Sequence, residues 1–386
     1  MTRGPGRRSL CRVWGAALLV VAFAAGPSAA ALAAVASGSS TGVAPPGAAA
    51  AGAGTAAPAV RAAAAVLVDV RTGRVLYARA AHQRMAPAST TKIMTALLVL
   101  ERLGPQATVT VDRDAAALRT GSHIGLAAGE RWTTGDLLRV MLLRSANDAA
   151  AALAGAVAGD QSRFAVLMTA RARSLGARHT RFANAHGLDH PEHYTTAADL
   201  ALISRHALRA PAFAEIVRTP VWTLVRPDGA REDLENRNRL LGRYPGADGV
   251  KTGSTRAAGN TIVASATRDG WQLLAAVLRS DDHYGDASRL LDFGFASFIS
   301  RRLAARGEPL APLDAVVGAG HLVAVPPADV HAVVRRGATL TARVALRPDL
   351  RGPITPGTRV GTVEFVEDAA LVVARSVLVA TERRAR

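Results

Sequence analysis

Cysteine is almost absent from this chain of 386 residues, and its single copy, Cys11, lies near the start in a segment with the pattern of a removable leader. The rest of the chain therefore has no thiol, which excludes a disulfide framework, a thiolate metal site and a cysteine nucleophile. The ten histidines show no metal-ligand spacing, so we expect no zinc, and we expect no other cofactor.

Aromatic residues are also scarce, at 4% of the sequence, although the formal net charge is +17. A basic chain can bind nucleic acid, but its positive charges are scattered rather than striped, and base stacking needs aromatic side chains. Several of the charges precede the first apolar run, at Arg3, Arg7, Arg8 and Arg12. We therefore expect no nucleic-acid partner and predict a solvated basic surface suited to anionic envelope polymers.

Lysine is the third scarce residue, because Lys92 and Lys251 are the only lysines among 47 basic residues and all others are arginine. Arginine stays protonated in proteins, whereas a desolvated lysine can lose its proton. The two lysines are therefore either candidates for proton transfer or surface residues retained by chance. Composition alone does not choose between these interpretations.

The first 60 residues have the composition of segments that lie outside a folded core. Residues 1–36 combine arginines, an apolar run over 13–25 and small-residue cleavage sites, which is typical of a secretory signal peptide. Residues 37–60 are mostly Ala, Gly, Pro, Ser and Thr, and this composition predicts a flexible linker. We expect export, cleavage of the signal, and a mature protein in the periplasm or another extracytoplasmic cell-wall space.

Two folded domains are predicted beyond the linker. Over residues 61–299, strand patterns at 66–77 and 250–278 enclose helical patterns over 89–103, 135–157, 160–175 and 196–209. A sheet that joins sequence-distant strands, with helices between them, predicts an α+β fold.

The last part of the chain, residues 300–386, has short β-type runs separated by Pro and Gly turns, and this pattern predicts a small all-β domain. Residues 382–386 are polar and form no apolar helix, so we expect no C-terminal membrane anchor.

Ser89 and Lys92 form the first chemical pattern, at the start of the predicted helix over 89–103. Residues three apart share one helix face, so the Lys92 amine can reach the Ser89 hydroxyl, and the helix dipole favours a developing alkoxide there. A serine beside an amine is a nucleophile with its base, although a helix-capping serine is the structural alternative. A base near neutral pH requires the lysine pKa to fall from about 10.4 to about 7 through burial or a second cation.

Two further triplets can complete such a site, Ser145-Ala146-Asn147 and Lys251-Thr252-Gly253. The hydroxyl and the amide of the first can pass a proton to a leaving amine and hold a substrate amide. Lys251 can keep Lys92 deprotonated by like-charge repulsion. Each triplet is weak alone, but the order and spacing of the set include both lysines, which indicates one catalytic site.

This set resembles the motifs S-x-x-K, S-x-N and K-T-G of the penicillin-recognising serine enzymes. Over about residues 62–300 the chain resembles more closely the low-molecular-mass D-alanyl-D-alanine carboxypeptidases, a family of penicillin-binding proteins. The matching segments are 86–88, 142–150, 184–188, 236–238 and 248–253. The resemblance implies a β-lactamase/DD-peptidase-like domain, with an antiparallel sheet flanked by helices and a helical subregion, followed by the small all-β domain.

The resemblance also implies a double acyl transfer. Ser89, deprotonated by Lys92, would attack the carbonyl between the two D-alanines that end a peptidoglycan stem pentapeptide, and water would then hydrolyse the acyl-enzyme. β-Lactam antibiotics would be covalent inhibitors. The implied roles are proton relay for Ser145, amide binding for Asn147, terminal-carboxylate binding for Lys251, Thr252 and Arg237, and an oxyanion hole from the backbone N–H groups of Ser89 and Ser254.

Some positions around the motifs are less specific. Arg239 and Arg243 lie close to Arg237 and compete with it for the carboxylate role. Position 254 is Ser where many relatives carry His. Asn184, His186 and Asp199 are predicted to order a loop beside the site, and residues 121–125 are predicted to form a turn.

Three alternatives remain open from the sequence. A D,D-endopeptidase uses the same residues. A class A β-lactamase needs a glutamate in an E-x-x-x-N context between the second and third motifs, and Glu192, Glu215 and Glu235 lack that context. Glu232 has Asn236 four residues on, but this pair lies only about fifteen residues before Lys251, which is too late in the chain for that role. A non-catalytic wall-binding protein would use the β domain and the basic surface instead of the motifs.

Overall fold

The structure is a computed structural model that describes residues 56–313, 322–350 and 354–382, and the backbone alone of the strand Leu18–Phe23 (β1). The chain divides into two compact units, one over Gly54–Ser297 and one over Phe298–Arg386 together with the N-terminal residues. Of the predicted signal peptide only β1 is described, and most of the predicted linker lies outside the described residues.

The larger unit has nine strands within its described residues and is built on a five-stranded antiparallel sheet in the order β3-β2-β10-β9-β8. Two small two-stranded antiparallel sheets, β4–β5 and β6–β7, lie outside that sheet. The strands are Ala64–Asp69 (β2), Val75–Arg79 (β3), Thr108–Thr110 (β4), Arg131–Thr133 (β5), Val221–Val225 (β6), Arg231–Glu235 (β7), Ala247–Thr255 (β8), Gly259–Arg268 (β9) and Trp271–Leu278 (β10).

Eight helices accompany these strands in the described part of the unit. They are Lys92–Arg102 (α1), Arg113–Ala117 (α2), Thr134–Leu143 (α3), Asn147–Ala158 (α4), Gln161–Leu175 (α5), Ala197–Ala207 (α6), Pro211–Arg218 (α7) and His283–Ser297 (α8). Four of these helices, α2, α3, α5 and α6, begin with an ordinary N-cap, because Asp112, Thr133, Asp160 and Thr196 each accept a hydrogen bond from a backbone N–H of the first turn. The predicted α+β architecture is confirmed.

The predicted helix over residues 135–157 is wrong, because the chain forms two helices there. Helix α3 ends at Leu143 and α4 begins at Asn147. Between them Ser145 has a φ of 64°, a left-handed conformation that interrupts the helical hydrogen-bond ladder. The apolar periodicity continues through the break because both helices bury their apolar faces, and no Gly or Pro marks the interruption.

Helix α1 lies in the centre of the larger unit, where every residue from Lys92 to Val99 is buried. It contacts α3, α4, α5 and α6, and it begins directly after a short 3-10 turn over Ala88–Thr91. A helix buried on all sides is held by packing rather than by its own propensity. The segment that carries Ser89 and Lys92 is therefore fixed from several directions.

The smaller unit is all β within its described residues, which confirms the predicted fold class. A six-stranded antiparallel sheet has the order β1-β15-β16-β17-β13-β12, and β11 pairs with β14. The strands are Phe298–Ala304 (β11), Ala311–Pro312 (β12), Leu322–Val325 (β13), Val330–Arg335 (β14), Leu340–Leu346 (β15), Arg359–Glu367 (β16) and Leu371–Glu382 (β17). Across both units, none of the described helices combines the length and apolar character needed to cross a bilayer.

Candidate active site

Ser89 lies in the 3-10 turn that precedes α1, close to the positive end of the helix dipole. The turn is closed by the Thr90 hydroxyl, which donates a hydrogen bond to the Pro87 carbonyl oxygen at 2.6 Å. Ala88 has a φ of 48°, an uncommon conformation for a residue with a Cβ atom. Strained backbone of this kind clusters at functional sites, and here it sets the direction of Ser89.

The Lys92 amine is fully buried and has three polar neighbours. Its Nζ lies 2.7 Å from Asn147 Oδ1, 2.6 Å from the His186 carbonyl oxygen and 3.1 Å from Ser89 Oγ. Two of these neighbours, the amide oxygen and the carbonyl oxygen, are acceptors only. The lysine is therefore held by two acceptors and directed at the serine hydroxyl.

The electrostatic surroundings favour the neutral form of Lys92. Burial, followed by the charges of Lys251 and Arg237, lowers the pKa of Lys92 well below its usual value, and the Asp148 carboxylate opposes this shift. Asp148 is itself engaged, because its carboxylate accepts hydrogen bonds from the backbone N–H groups of residues 124–126 and 149. The negative charge of Asp148 is therefore partly stabilised by these N–H groups and does not act on Lys92 alone.

Ser145 and Asn147 lie at the break between α3 and α4. Asn147 uses both ends of its side chain, because Oδ1 accepts from Lys92 and Nδ2 donates to the Thr120 carbonyl oxygen at 2.8 Å. Its backbone N–H donates to the Ser122 carbonyl oxygen at 2.7 Å. The structure thus places Asn147 as a partner of the lysine, and substrate binding by this amide stays a prediction.

The loop over residues 184–188 supplies the carbonyl that holds Lys92. Asn184 orders it, because its Oδ1 accepts from the Gly187 N–H at 2.7 Å and its Nδ2 donates to the Leu188 carbonyl oxygen at 3.0 Å. Gly187 has a φ of 92°, and a Cβ atom there would overlap the Ala88 carbonyl group. A glycine is therefore required where this loop crosses the serine turn.

His186 and Asp199 were also predicted to order this loop, and the structure places them differently. Burial, with the nearby charge of Lys92, lowers the pKa of His186 to about 3, so its ring is neutral and accepts a hydrogen bond from the Leu188 N–H. Asp199 instead accepts hydrogen bonds from the His179 N–H and the Thr180 hydroxyl. It therefore orders a segment that precedes the loop in sequence.

Strand β8 forms one edge of the five-stranded sheet and carries the Lys251-Thr252-Gly253 triplet. A Cβ atom on Gly253 would lie 2.8 Å from the Ser89 backbone nitrogen, so the strand and the serine turn are in direct contact. Lys251 is buried and its Nζ donates to the Thr252 carbonyl oxygen at 3.1 Å. Burial, with the nearby Arg237 charge, lowers the pKa of Lys251 to about 7.

A cavity of about 640 Å³ opens in front of Ser89. Its lining includes predicted site residues from all three motifs, while Lys92, Asn147 and Lys251 are buried and are not part of the described lining. The lining residues predicted from the sequence are Ser89, Ser145, Arg237, Thr252 and Ser254. The structure therefore brings the predicted residues together around one opening.

Several groups at the site were not identified from the sequence. The Ser122 hydroxyl accepts a hydrogen bond from Arg237 Nη1 at 2.6 Å, and the Tyr284 hydroxyl donates to the Arg237 carbonyl oxygen at 2.8 Å. The His186 carbonyl oxygen beside Lys92 was also missed. Ser122 stands in the predicted turn over 121–125, which is a weak signal, and a backbone carbonyl leaves no sequence signal at all.

The family model for D-alanyl-D-alanine carboxypeptidases (Peptidase_S11) matches residues 51–282 of this chain. The chain belongs to this family. It is 30% identical over 335 residues to the D-alanyl-D-alanine carboxypeptidase DacF of Bacillus subtilis, an alignment that covers 84% of this chain and 86% of the relative. Family membership makes it a serine peptidase.

Two solved structures extend the comparison. Penicillin-binding protein 5 of Haemophilus influenzae is 27% identical, with a TM-score of 0.74 over 86% of this chain and 99% of that protein. A variant of the Streptomyces K15 DD-transpeptidase is 32% identical, with a TM-score of 0.59 over 62% of this chain and 100% of that protein.

Among the residues that the structure describes, no group of three or more His, Cys, Asp or Glu could jointly hold a metal ion.

Proposed function

We propose that this protein is a serine-type D-Ala-D-Ala carboxypeptidase that removes the terminal D-alanine from peptidoglycan stem pentapeptides through an acyl-enzyme on Ser89. The observation that carries the proposal is the arrangement of the buried Lys92 amine between two carbonyl-type oxygens and the Ser89 hydroxyl.

A neutral lysine amine has two N–H bonds and one lone pair. The Asn147 amide oxygen and the His186 carbonyl oxygen can only accept, so they take the two N–H bonds at 2.7 and 2.6 Å. The lone pair then faces the remaining neighbour, Ser89 Oγ at 3.1 Å. This geometry suits Lys92 as the general base for Ser89, and the lowering of its pKa by burial and by the nearby Lys251 and Arg237 charges favours the unprotonated amine.

Acylation begins when Ser89 Oγ attacks the carbonyl carbon between the two D-alanines and its proton moves to Lys92 Nζ. The carbonyl oxygen becomes negatively charged, and we assign its stabilisation to the backbone N–H groups of Ser89 and Ser254. Loss of one such donor typically costs about 3–4 kcal/mol of transition-state stabilisation. The close approach of Gly253 to the Ser89 nitrogen supports this assignment, because it puts the two segments side by side.

Collapse of the tetrahedral intermediate breaks the C–N bond, and the departing amine takes a proton. We assign Ser145 as the relay that passes this proton from the Lys92 ammonium group, because Ser145 lines the cavity beside Ser89. Water then attacks the ester and gives a proton to Lys92, and Lys92 passes a proton to Ser89 Oγ as the bond between Oγ and the acyl carbon breaks, which frees the acid product and restores the neutral amine. Asn147 keeps Lys92 in place throughout and is assigned to bind the substrate amide when the substrate displaces its Thr120 contact.

The terminal carboxylate of the substrate is assigned to Thr252 and Arg237, with the Lys251 charge behind them. Thr252 and Arg237 line the cavity, and Lys251 is buried next to Thr252 in strand β8. A carboxylate raises the pKa of a neighbouring ammonium group, so substrate binding favours the protonated form of Lys251.

β-Lactam antibiotics are expected to acylate Ser89, and the resulting acyl-enzyme is expected to hydrolyse slowly. The described lining of the cavity includes one carboxylate, Glu235, which lies only sixteen positions before Lys251 and lacks the E-x-x-x-N context of a deacylating glutamate. Rapid hydrolysis of benzylpenicillin would contradict this and favour the β-lactamase alternative. Transfer of the acyl group to an amine, as the name of the Streptomyces K15 relative suggests, would need an acceptor amine in place of water.

The proposed substrate places the protein outside the cytoplasm. The arginine-rich start, the apolar run over 13–25 and the small-residue sites support export and cleavage of residues 1–36. Mass spectrometry of the N-terminus of the protein recovered from its cell envelope tests this, and an N-terminus at Met1 in the mature protein would contradict it.

The function is tested by incubating the purified protein with diacetyl-Lys-D-Ala-D-Ala and measuring free D-alanine, with Ser89→Ala as the control. We expect release from the wild-type protein and none from the variant. Release of no D-alanine, with penicillin still acylating Ser89, would point to a D,D-endopeptidase that needs cross-linked peptides. Absence of both reactions would contradict the proposal and favour the non-catalytic wall-binding alternative.

A further inference from the structure

The cavity in front of Ser89 has an excess of positive charge. Four arginines and one glutamate contribute to its described lining, namely Arg144, Arg237, Arg239, Arg243 and Glu235. The lining also includes His283, whose pKa is lowered mainly by burial, so it adds no charge at neutral pH. A cavity lined by one sign of charge concentrates its field and attracts ligands of the opposite sign.

The ion pairing of these arginines decides whether their charge is available to a ligand. Within the described parts of the chain, none of the four guanidinium groups forms an ion pair with a carboxylate. An unpaired arginine on an open surface is simply solvated by water, whereas these four arginines line one cavity and their charges add there. Burial and the nearby Arg144 charge lower the pKa of Arg237, which shows that the positive charges oppose one another.

Several of the arginines are connected through Tyr284 and Arg237. The Tyr284 hydroxyl contacts the backbone of both Arg237, at 2.8 Å, and Arg239, at 3.5 Å. Arg144 is close enough to Arg237 to affect its pKa, and Arg243 follows in the segment that leads into β8. Arg237 is assigned to the terminal carboxylate of the substrate, and the other three arginines line the same cavity, which receives the group that leaves.

The D-alanine that leaves in the proposed reaction carries one carboxylate, and Arg237 with Thr252 accounts for it. The remaining positive charge exceeds what this leaving group can neutralise, even when Glu235 is counted. A leaving group with a second carboxylate would match it better, because each guanidinium–carboxylate contact is a charge-assisted hydrogen bond.

We propose that Arg144, Arg239 and Arg243 form a second anion subsite, which binds an additional carboxylate of the leaving group. The proposal rests on the proposed carboxypeptidase function and names a preferred substrate class. That class is a D-Ala-X bond in which X is an amino acid or peptide with a carboxylate besides the one next to the scissile bond. The amine half of a peptide cross-link built on a diamino-dicarboxylic acid belongs to this class.

The test compares three donors that share the acyl part, diacetyl-Lys-D-Ala, and differ in the leaving residue. D-Glu and D-Gln have the same size and shape, so their ratio isolates one negative charge, and D-Ala reports the basic reaction. We expect the wild-type protein to have a kcat/KM about tenfold higher for the D-Glu peptide than for the D-Gln peptide. The preference should shrink as the salt concentration rises, because the arginines are partly exposed.

The matched variants are Arg239→Gln combined with Arg243→Gln, Arg144→Gln, and Arg102→Gln as the control. Arg102 is exposed at the end of α1 and does not line the cavity. We expect the D-Glu to D-Gln ratio to fall to within about twofold in the double variant, to fall partly in Arg144→Gln and to stay unchanged in Arg102→Gln. Both kcat/KM values of a D-Glu to D-Gln ratio are measured on one preparation, so a partial loss of folded protein lowers both equally and leaves the ratio unchanged.

Two failures are distinguishable. If the wild-type protein releases D-alanine from the D-Ala peptide but shows no preference for D-Glu over D-Gln, the second subsite is wrong and the proposed function stands. A preference that survives in the double variant would also overturn the subsite. If no donor is cleaved, the proposed function itself fails.

Discussion

The Asn147 side chain and the Lys92 amine, 55 residues apart in sequence, are 2.7 Å apart in the folded protein, and both are buried. This contact takes one of the two N–H bonds of the neutral amine and leaves its lone pair for Ser89. The Asn147 side chain is an uncharged amide, and its lack of charge affects the pKa of Lys92. An amide oxygen orients the amine without stabilising its protonated form as strongly as a carboxylate would.

Asn147→Asp should therefore raise the pKa of Lys92 and slow acylation at neutral pH. A negative charge at hydrogen-bond distance favours the ammonium form, and once the pKa exceeds the working pH each further unit of increase reduces the neutral fraction about tenfold. The measurement is the second-order rate constant for acylation by penicillin between pH 6 and pH 10. We expect at least a tenfold loss at pH 7 that recovers as the pH rises, whereas Asn147→Ser should be slower without moving the profile. A profile unchanged in Asn147→Asp would show that this residue does not tune the base.

Gly253→Ala should impair catalysis more than folding. The added Cβ atom would lie 2.8 Å from the Ser89 nitrogen and 2.7 Å from Thr261 Oγ1, so β8 or the serine turn must move. A displacement of this kind in a catalytic constellation costs about a hundredfold in rate. Steady-state release of D-alanine and the melting temperature are measured together, with Gly104→Ala as the control because a Cβ atom there meets nothing within 4 Å. Full activity in Gly253→Ala would mean that the close contact is not needed.

Tyr284→Phe should weaken substrate binding and leave the chemical step largely intact. The Tyr284 hydroxyl holds the Arg237 carbonyl oxygen at 2.8 Å, so its loss frees the backbone that positions the carboxylate-binding arginine. A neutral hydrogen bond contributes about 0.5–1.5 kcal/mol, which corresponds to a rise in KM of about two- to tenfold. Tyr77→Phe, on strand β3 and outside the cavity lining, is the matched control. A fall in kcat with unchanged KM would argue for a role of Tyr284 in the reaction itself.

Stability should rise with pH above neutrality, and Lys251 should cause part of that rise. The unfolded chain keeps Lys251 protonated up to pH about 10.4. Burial lowers the pKa of Lys251 in the folded protein to about 7. The unfolded state therefore binds more protons between these values, and the free energy of unfolding increases by up to about 1.4 kcal/mol per pH unit from this group. Lys92 contributes in the same direction.

Lys251→Met removes one of these two groups and should give a smaller increase in melting temperature from pH 7 to pH 10 than the wild-type protein shows. The variant should also be the more stable of the two at pH 7, because it no longer buries an ionisable amine. Scanning calorimetry at several pH values checks both expectations. Parallel pH dependences in the two proteins would show that Lys251 has an ordinary pKa.

Local features of this protein were predictable from the sequence, because local geometry determines them. The three-residue spacing of Ser89 and Lys92 puts both side chains on one side of a helical turn, and the short apolar runs of β9 and β10, separated by a turn at residues 268–270, indicate buried strands. The scarcity of lysine pointed to Lys92 and Lys251 before any contact was known. The break at Ser145 was not predictable, because burial of both helices preserves the apolar pattern across it.

The tertiary structure decided which groups contact the Lys92 amine and the Arg237 backbone. The His186 carbonyl oxygen lies 94 residues from Lys92 in sequence, and the Tyr284 hydroxyl lies 47 residues from the Arg237 backbone that it contacts. Backbone carbonyls are present at every residue, so no pattern of side chains distinguishes the one that will bind a lysine. The shared cavity of the arginines likewise depends on which segments the fold brings together. The sequence by itself determined which residue types are available for the chemistry, and long-range packing determined which of them meet, because burial and distance set the pKa values and the hydrogen bonds.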